Sequence, residues 1–284
     1  MAFTTQRIDI NDIDLHYYQV GEFGEHVLLL HGGGTDNARL SWELTYPSLS
    51  GDHQVLMPDW PGHGGSELSM QPFSVDMLVE TIAGLMDGLD IQCASLVGVS
   101  MGGAAAIGYT LKHPERVAKL VLVDSYGLQS HAPWHKLSYL TVRTPYLIPM
   151  SWELLRRSRY LTRWTLGYIL ANPDAINAEL VEEVYLAMQA ENVGRAFYEF
   201  QTREVTWDGL RTCYLNQLKE IEQPTLLIHG DKDRLVPLSA ARQAAERLPQ
   251  ARLEVLQNCG HWPQRDHPTA FNRLVADFLR KPGE

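Results

Sequence analysis

Residues 95–106 read Ser95-Leu96-Val97-Gly98-Val99-Ser100-Met101-Gly102-Gly103-Ala104-Ala105-Ala106, and this stretch decides the fold. A short run of Val and Leu fits a strand buried on both faces. It ends in Gly-x-Ser-x-Gly and passes straight into small residues suited to a closely packed helix. A strand that turns this sharply into a helix forces its turn residue into a strained conformation. Flanking glycines remove the side chains that would clash, and Ser100 then projects above the sheet near the positive end of the helix. Gly-x-Ser-x-Gly alone is common, and its plain reading is a glycine-rich turn with an idle serine. The strand–turn–helix setting makes Ser100 a candidate nucleophile.

Similar apolar runs recur on either side: Val27–Leu30, Val55–Met57, Leu120–Val123, Leu226–Ile228 and Arg252–Leu256. Helix-like stretches lie between them. Ser74–Leu89 opens on a capping serine and repeats Met77, Leu78, Ile82, Leu85, Met86 and Leu89 at helical spacing. Gly102–Lys112, Leu238–Leu248 and Thr269–Leu279 are further helix candidates. Upstream, Gln6–Ile10 and Ile13–Val20 form an expected antiparallel hairpin about Asn11-Asp12. Alternating strands and helices predict the α/β class, with a mostly parallel sheet and helices on both faces.

The alternation stops after Asp124 and resumes at Pro224. The stretch between reads as helices, including Ser151–Ile169 and Ala175–Val193, broken by several prolines. The expected organisation is a core of residues 1–124 and 224–284, with a helical cap inserted at 125–223 over one end of the sheet. Cap aromatics such as Trp134, Trp152, Trp164 and Phe197 either line an apolar pocket or pack helices onto the core.

Composition removes other function classes. A chain of 284 residues with 45% hydrophobic and 20% charged residues is an ordinary globular protein rather than a disordered one. A net charge of −10 with no long basic run argues against nucleic-acid or membrane partners. No apolar run reaches the ~18 residues of a membrane span, and Met1–Asp9 has no apolar signal core, so a cytoplasmic location is the expectation. Cys93, Cys213 and Cys259 are too scattered for a metal clamp or a disulfide framework. Walker-type, HExxH and dinucleotide fingerprints are absent, so neither a metal nor a cofactor is expected.

A serine hydroxyl needs a base, an orienting carboxylate and donors for the developing oxyanion. Eleven histidines compete for the first role. His261 lies in Asn258-Cys259-Gly260-His261-Trp262-Pro263, after the last strand and on the sheet edge where Ser100 emerges. His229 and His63 lack such a projecting loop. For the acid, Asp233 in Gly230-Asp231-Lys232-Asp233-Arg234-Leu235-Val236-Pro237 ranks ahead of Asp124 and Asp231. His31-Gly32-Gly33-Gly34 follows a strand end, where glycines let backbone amides approach a ligand. The expected oxyanion donors are the Gly33 and Met101 amides, with His31 a structural hydrogen-bonder.

These motifs, together with Pro58-Asp59-Trp60-Pro61-Gly62-His63-Gly64-Gly65-Ser66, resemble the α/β-hydrolase superfamily in order and separation. That resemblance implies an eight-stranded α/β-hydrolase sheet and a Ser-Asp-His chain order. Within the superfamily the chain looks like the small capped serine hydrolases: esterases, cofactor-free haloperoxidases and the meta-cleavage-product C–C hydrolases. Ser100-Met101-Gly102-Gly103 and Gly260-His261-Trp262-Pro263-Gln264 are most similar to the last group. The resemblance makes Arg195 a candidate for gripping a substrate carboxylate, and Gly32, Gly34, Val99 and Trp262 candidate substrate neighbours. Val99, however, stands where those enzymes carry asparagine, and Thr35-Asp36-Asn37-Ala38 replaces their Pro-Gly. Both changes fall where a dienolate would bind. The sequence reading therefore places hydrolysis of a medium-sized, apolar or aromatic carboxylic ester first and C–C hydrolysis second. Perhydrolysis would use the same residues, and a non-catalytic ligand receptor is the reading from another class.

Overall fold

The computed structural model describes residues 3–190 and 192–281. Eight strands form one sheet: β1 (Thr4–Ile10), β2 (Ile13–Val20), β3 (His26–Leu30), β4 (Gln54–Pro58), β5 (Ala94–Val99), β6 (Val117–Val123), β7 (Thr225–Gly230) and β8 (Ala251–Leu256). Their spatial order is β1-β2-β4-β3-β5-β6-β7-β8. The β1–β2 and β2–β4 pairs are antiparallel and the remaining pairs are parallel. Asn11 and Asp12, with φ of 53° and 64°, make the left-handed two-residue turn that matches hairpin twist.

Strand alternation splits the core into two layers. Leu28, Leu30, Leu96, Leu120 and Leu122 face the helices Val75–Gly88 and Met101–Lys112. Val27, Leu29, Val97, Val99, Val121 and Val123 face the opposite layer, with Phe271, Val275 and Leu279 of the helix Pro268–Arg280. Ser74 caps the first of these helices, accepting the Met77 amide at 3.2 Å. Because β3, β5, β6, β7 and β8 run parallel, the loops that leave them meet along one edge of the sheet. Ser100, Asp124, Asp233 and His261 all sit on that edge.

Between β6 and β7 the elements are helical, apart from one isolated antiparallel bridge between Val205 and Leu210. The single helix expected over Ser151–Ile169 is two, Leu147–Leu155 and Arg159–Ile169. Ser158 has an extended backbone between them, and the second helix then buries Thr162 and Leu166 beside the helix Ala178–Ala187. The expected helix Ala175–Val193 likewise divides: Ala178–Ala187 starts at Asn177, whose side chain accepts the Leu180 amide at 2.8 Å. A further helix, Val193–Glu204, follows. Among the described residues no helix is long and apolar enough to cross a membrane.

Candidate active site

Ser100 occupies the turn between β5 and the Met101–Lys112 helix with φ 51° and ψ −116°. This left-handed strain persists because its surroundings hold it: the Ser100 amide donates to Val123 O at 2.9 Å, and Ser100 O accepts from Gly103 and Tyr126. A side chain at Gly102 would sit 2.3 Å from Leu30 O, so only glycine lets the helix start this close to β3.

His261 Nε2 lies 3.0 Å from Ser100 Oγ, and His261 Nδ1 lies 2.8 Å from Asp233 Oδ2. Asp233 Oδ1 accepts the amides of Leu235 and Val236 at 2.7 and 3.1 Å. Burial alone would push the Asp233 carboxyl up. The adjacent His261 ring, its hydrogen bond, His229 and the Leu235 amide outweigh burial and hold the group below its usual value. The carboxylate is therefore ionised at neutral pH and orients the imidazole.

The glycine loop after β3 wraps Ser100. A Cβ on Gly32 would lie 3.5 Å from Ser100 Cβ, and one on Gly33 would lie 3.5 Å from Met101 Sδ and 2.9 Å from the Phe197 ring. Gly34, at φ 77°, has no such neighbour within 4 Å. Met101 is the first residue of its helix, where an N–H has no i−4 carbonyl within the helix. His31 ties this loop to the next one: its Nε2 accepts the Trp60 amide at 2.9 Å while Nδ1 faces Gly32 O at 2.8 Å.

Two carboxylates that the sequence reading did not single out shape the site. Asp36 is buried and accepts the Gly32 amide (2.8 Å), the Asn37 amide (2.9 Å) and Ser41 Oγ (2.6 Å). Burial pushes its carboxyl up to about 7 against those hydrogen bonds. Asp266 accepts the amides of Gly260, Ala171 and Asn172 at 2.6, 2.9 and 2.8 Å, while Ile169 O accepts the His261 amide at 2.7 Å. The end of the cap helix Arg159–Ile169 is thus fastened to the loop that carries His261. Phe197 roofs the glycine loop, stacks on Phe200 at 6.3 Å and meets Trp152 edge-on at 6.3 Å.

Other sequence candidates lie elsewhere. Arg195 is 65% exposed and paired with Glu199 at 3.2 Å; it lines a surface depression with Trp152, Arg156 and Tyr198 rather than the space over Ser100. Its neighbours Ala196 and Phe200 are buried while Arg195 faces outward. Val99 is fully packed in the lower apolar cluster, and Trp262 joins the same cluster with its indole N–H 3.3 Å from Ser41 Oγ. Asp124 lies behind Asp233 rather than on His261. Among the described residues, two groups of side chains bring metal-type donor atoms within 4.8 Å of one another: Cys259, Asp266 and His267, and Asp124, His229 and Asp233. In each, a carboxylate is already taken up by protein hydrogens, Asp266 by three amides and Asp233 by His261.

The family described as alpha/beta hydrolase fold matches residues 25–268. The chain is 33% identical to a 2-hydroxy-6-oxo-6-phenylhexa-2,4-dienoate hydrolase of Comamonas testosteroni, over 96% of this chain and 93% of that one. It is 32% identical to a 2-hydroxymuconate semialdehyde hydrolase of Pseudomonas sp. strain CF600, over 90% and 87%. A meta-cleavage product hydrolase from Pseudomonas fluorescens IP01 superposes with a TM-score of 0.82 at 30% identity, over 96% of this chain and 97% of that one. With its eight-stranded sheet, inserted helices and hydrogen-bonded serine, histidine and aspartate, the chain belongs to the α/β-hydrolase fold family and is an enzyme of it.

Proposed function

We propose that this enzyme hydrolyses a carbon–carbon bond beside a ketone in substrates of the 2-hydroxy-6-oxo-dienoate type. The observation that carries this reading is near-full-length similarity to relatives named for that reaction. It reverses the order that the sequence alone suggested. In the proposed reaction the dienol first tautomerises to a 2-ketone, its hydroxyl proton passing to the carbon beside the 6-carbonyl. His261, oriented by Asp233, takes the proton of Ser100 as its oxygen attacks the carbonyl, and the amides of Gly33 and Met101 receive the oxyanion. Collapse breaks the C–C bond and leaves an acyl-enzyme. The departing dienolate carbon takes a proton from the His261 imidazolium, and water then releases the acid. The Phe197 ring, 2.9 Å from where a Cβ on Gly33 would stand and stacked on Phe200, lays an apolar surface on the glycine loop and supports an aryl or apolar group in the substrate.

Ester hydrolysis is the second reading. Buried Val99 offers no side-chain hydrogen bond beside the nucleophile, and Arg195 points away from it. The deciding measurement compares kcat/KM on 2-hydroxy-6-oxo-6-phenylhexa-2,4-dienoate and p-nitrophenyl butyrate. A preference for the dienoate of about a hundredfold or more, about 2.7 kcal/mol in the barrier, is expected. A comparable preference for the ester would make the enzyme an esterase.

A further inference from the structure

Behind the Ser100–His261–Asp233 chain lies a second pair of titratable groups that the proposed mechanism does not use. Asp124 follows β6 with φ 40°, and His229 sits in β7; both are essentially inaccessible. Asp124 Oδ1 accepts the Gly230 amide at 2.9 Å and lies 3.2 Å from His229 Nδ1. His229 Nε2 lies 3.0 Å from Val236 O and 3.6 Å from Asp233 Oδ2. The Val236 amide in turn donates to Asp233 Oδ1.

We propose that Asp124 and His229 are positioning residues for Asp233, sharing one proton between them and holding its loop from behind. This inference rests on the proposed role of Asp233.

The proton count follows from the contacts. Val236 O carries only lone pairs, so His229 Nε2 holds a hydrogen and donates it there. In a neutral ring Nδ1 then presents a lone pair to Asp124 Oδ1. A carboxylate facing it at 3.2 Å, fully buried, would repel. One proton between the two atoms turns repulsion into a hydrogen bond. Its place is on Asp124, whose Oδ1 then donates to His229 while still accepting from Gly230. The free oxygen fits this state: Asp124 Oδ2 is buried with no hydrogen-bond partner, tolerable for a neutral acid carbonyl and costly for an anion. The groups facing the pair agree. Burial, then the Asp233 charge and more distant Asp266, push the Asp124 carboxyl well up; burial and His261 push His229 down, against Asp233 and Val236. The consequence is mechanical and electrostatic. A neutral pair fixes Val236, whose amide fixes Asp233, and the charge facing His261 at 2.8 Å is that of Asp233.

The first test uses the unmodified enzyme. Long-range 1H–15N spectra should show His229 neutral, with its hydrogen on Nε2, across the neutral range where an ordinary histidine titrates. An imidazolium at His229 in that range would overturn the proposal. The second test measures p-nitrophenyl butyrate turnover, or the rate of fluorophosphonate labelling of Ser100, on variants checked for folding by near-ultraviolet circular dichroism. His229→Gln should lower kcat about tenfold or more with KM within about twofold, and should move the acid limb of the kcat/KM profile. Asp124→Asn, which keeps a neutral donor, should retain at least about tenfold more kcat than Asp124→Leu. An unchanged kcat and acid limb in His229→Gln, or equal losses in the two Asp124 variants, would overturn it. Ser100→Ala separates the two readings. Turnover that survives it removes the triad reading; an inactive Ser100→Ala beside an unchanged His229→Gln removes only this one.

Discussion

The two sides of Ser100 are built by different physics. Below it, the body holds the site with short hydrogen bonds among buried groups: His261 to Asp233, Asp36 to the Gly32 amide, His31 to the Trp60 amide. Above it, apart from the hydrogen bonds of Ile169, Ala171 and Asn172 to the His261 loop, the cap contributes aromatic contacts, and many of its large apolar side chains face outward. Trp134 is 85% exposed and Tyr160 76%, and the helix Leu147–Leu155 buries no residue fully. Hydrogen bonds fix atoms to tenths of an ångström, whereas apolar contacts fix only a surface. The body therefore fixes atoms around Ser100, and the cap lays an apolar surface beside them.

The largest expected effect tests the body. Ser100→Ala or His261→Ala should lower kcat by about 10⁴–10⁶ with the fold unchanged. Steady-state assays on purified enzyme check this. Full turnover by either variant would place the chemistry elsewhere and dissolve the contrast.

The same added methyl group should act differently on the two sides. Gly102→Ala forces a Cβ to 2.3 Å from Leu30 O and 2.6 Å from His31 O, both backbone atoms of the body. It should cost about 3 kcal/mol or more of stability, read from urea unfolding. Gly33→Ala meets the Phe197 ring of the cap instead, and a ring on a cap helix can move. Its cost should stay below about 1 kcal/mol, and Phe197→Ala should recover most of it in a double-mutant cycle. Equal costs at the two positions would mean that the cap is as unyielding as the sheet.

Acid should attack the body through His63. Burial pushes its ring down to about 4, offset only partly by the Pro61 carbonyl and Asp59. As pH falls through the ordinary histidine value near 6.5, the unfolded chain binds a proton that the folded chain refuses. The stability from this group is thus complete above about pH 6.5 and is lost progressively towards pH 4, by about 3 kcal/mol in all. His63→Gln should flatten the urea-unfolding profile over that window. An unchanged profile would mean that His63 takes up its proton in the fold as readily as in the unfolded chain.

How much could be read beforehand follows the same division. Ser100, Asp233 and His261 stand in loops at the ends of buried strands, each inside a local motif, so their meeting was legible once the parallel sheet was. The eight-stranded sheet followed from apolar runs and from the resemblance they carry. Asp36 and Asp266 left no such mark, because their partners are backbone amides, some of them far along the chain, as Ala171 and Asn172 are from Asp266. In the cap, Arg156–Ser158 holds no proline or glycine to mark the break between Leu147–Leu155 and Arg159–Ile169, where Ser158 turns extended. Arg195 shows the same gap. Its charge drew attention, but which face of Val193–Glu204 turns inward is settled by Ala196, Phe197 and Phe200.

The smallest expected effect sharpens the comparison most. Arg195 pairs with Glu199 across one helical turn, and both side chains are partly in water, so the pair is worth only about 0.3–0.5 kcal/mol. Arg195→Ala should therefore leave stability within about 0.5 kcal/mol. Turnover of p-nitrophenyl butyrate should change by less than about threefold, because the ester brings no carboxylate to the cap. The dienoate does bring one, and with Arg195 outward its kcat/KM should fall by less than about tenfold. A dienoate-specific loss well beyond that, with the ester unaffected, has one structural meaning. The Val193–Glu204 helix would then turn when substrate arrives, exchanging the Arg195–Glu199 pair for the substrate carboxylate. The body has no comparable freedom, since Ser100, Gly102 and the Asp233 loop are held by backbone contacts that leave no room to rotate.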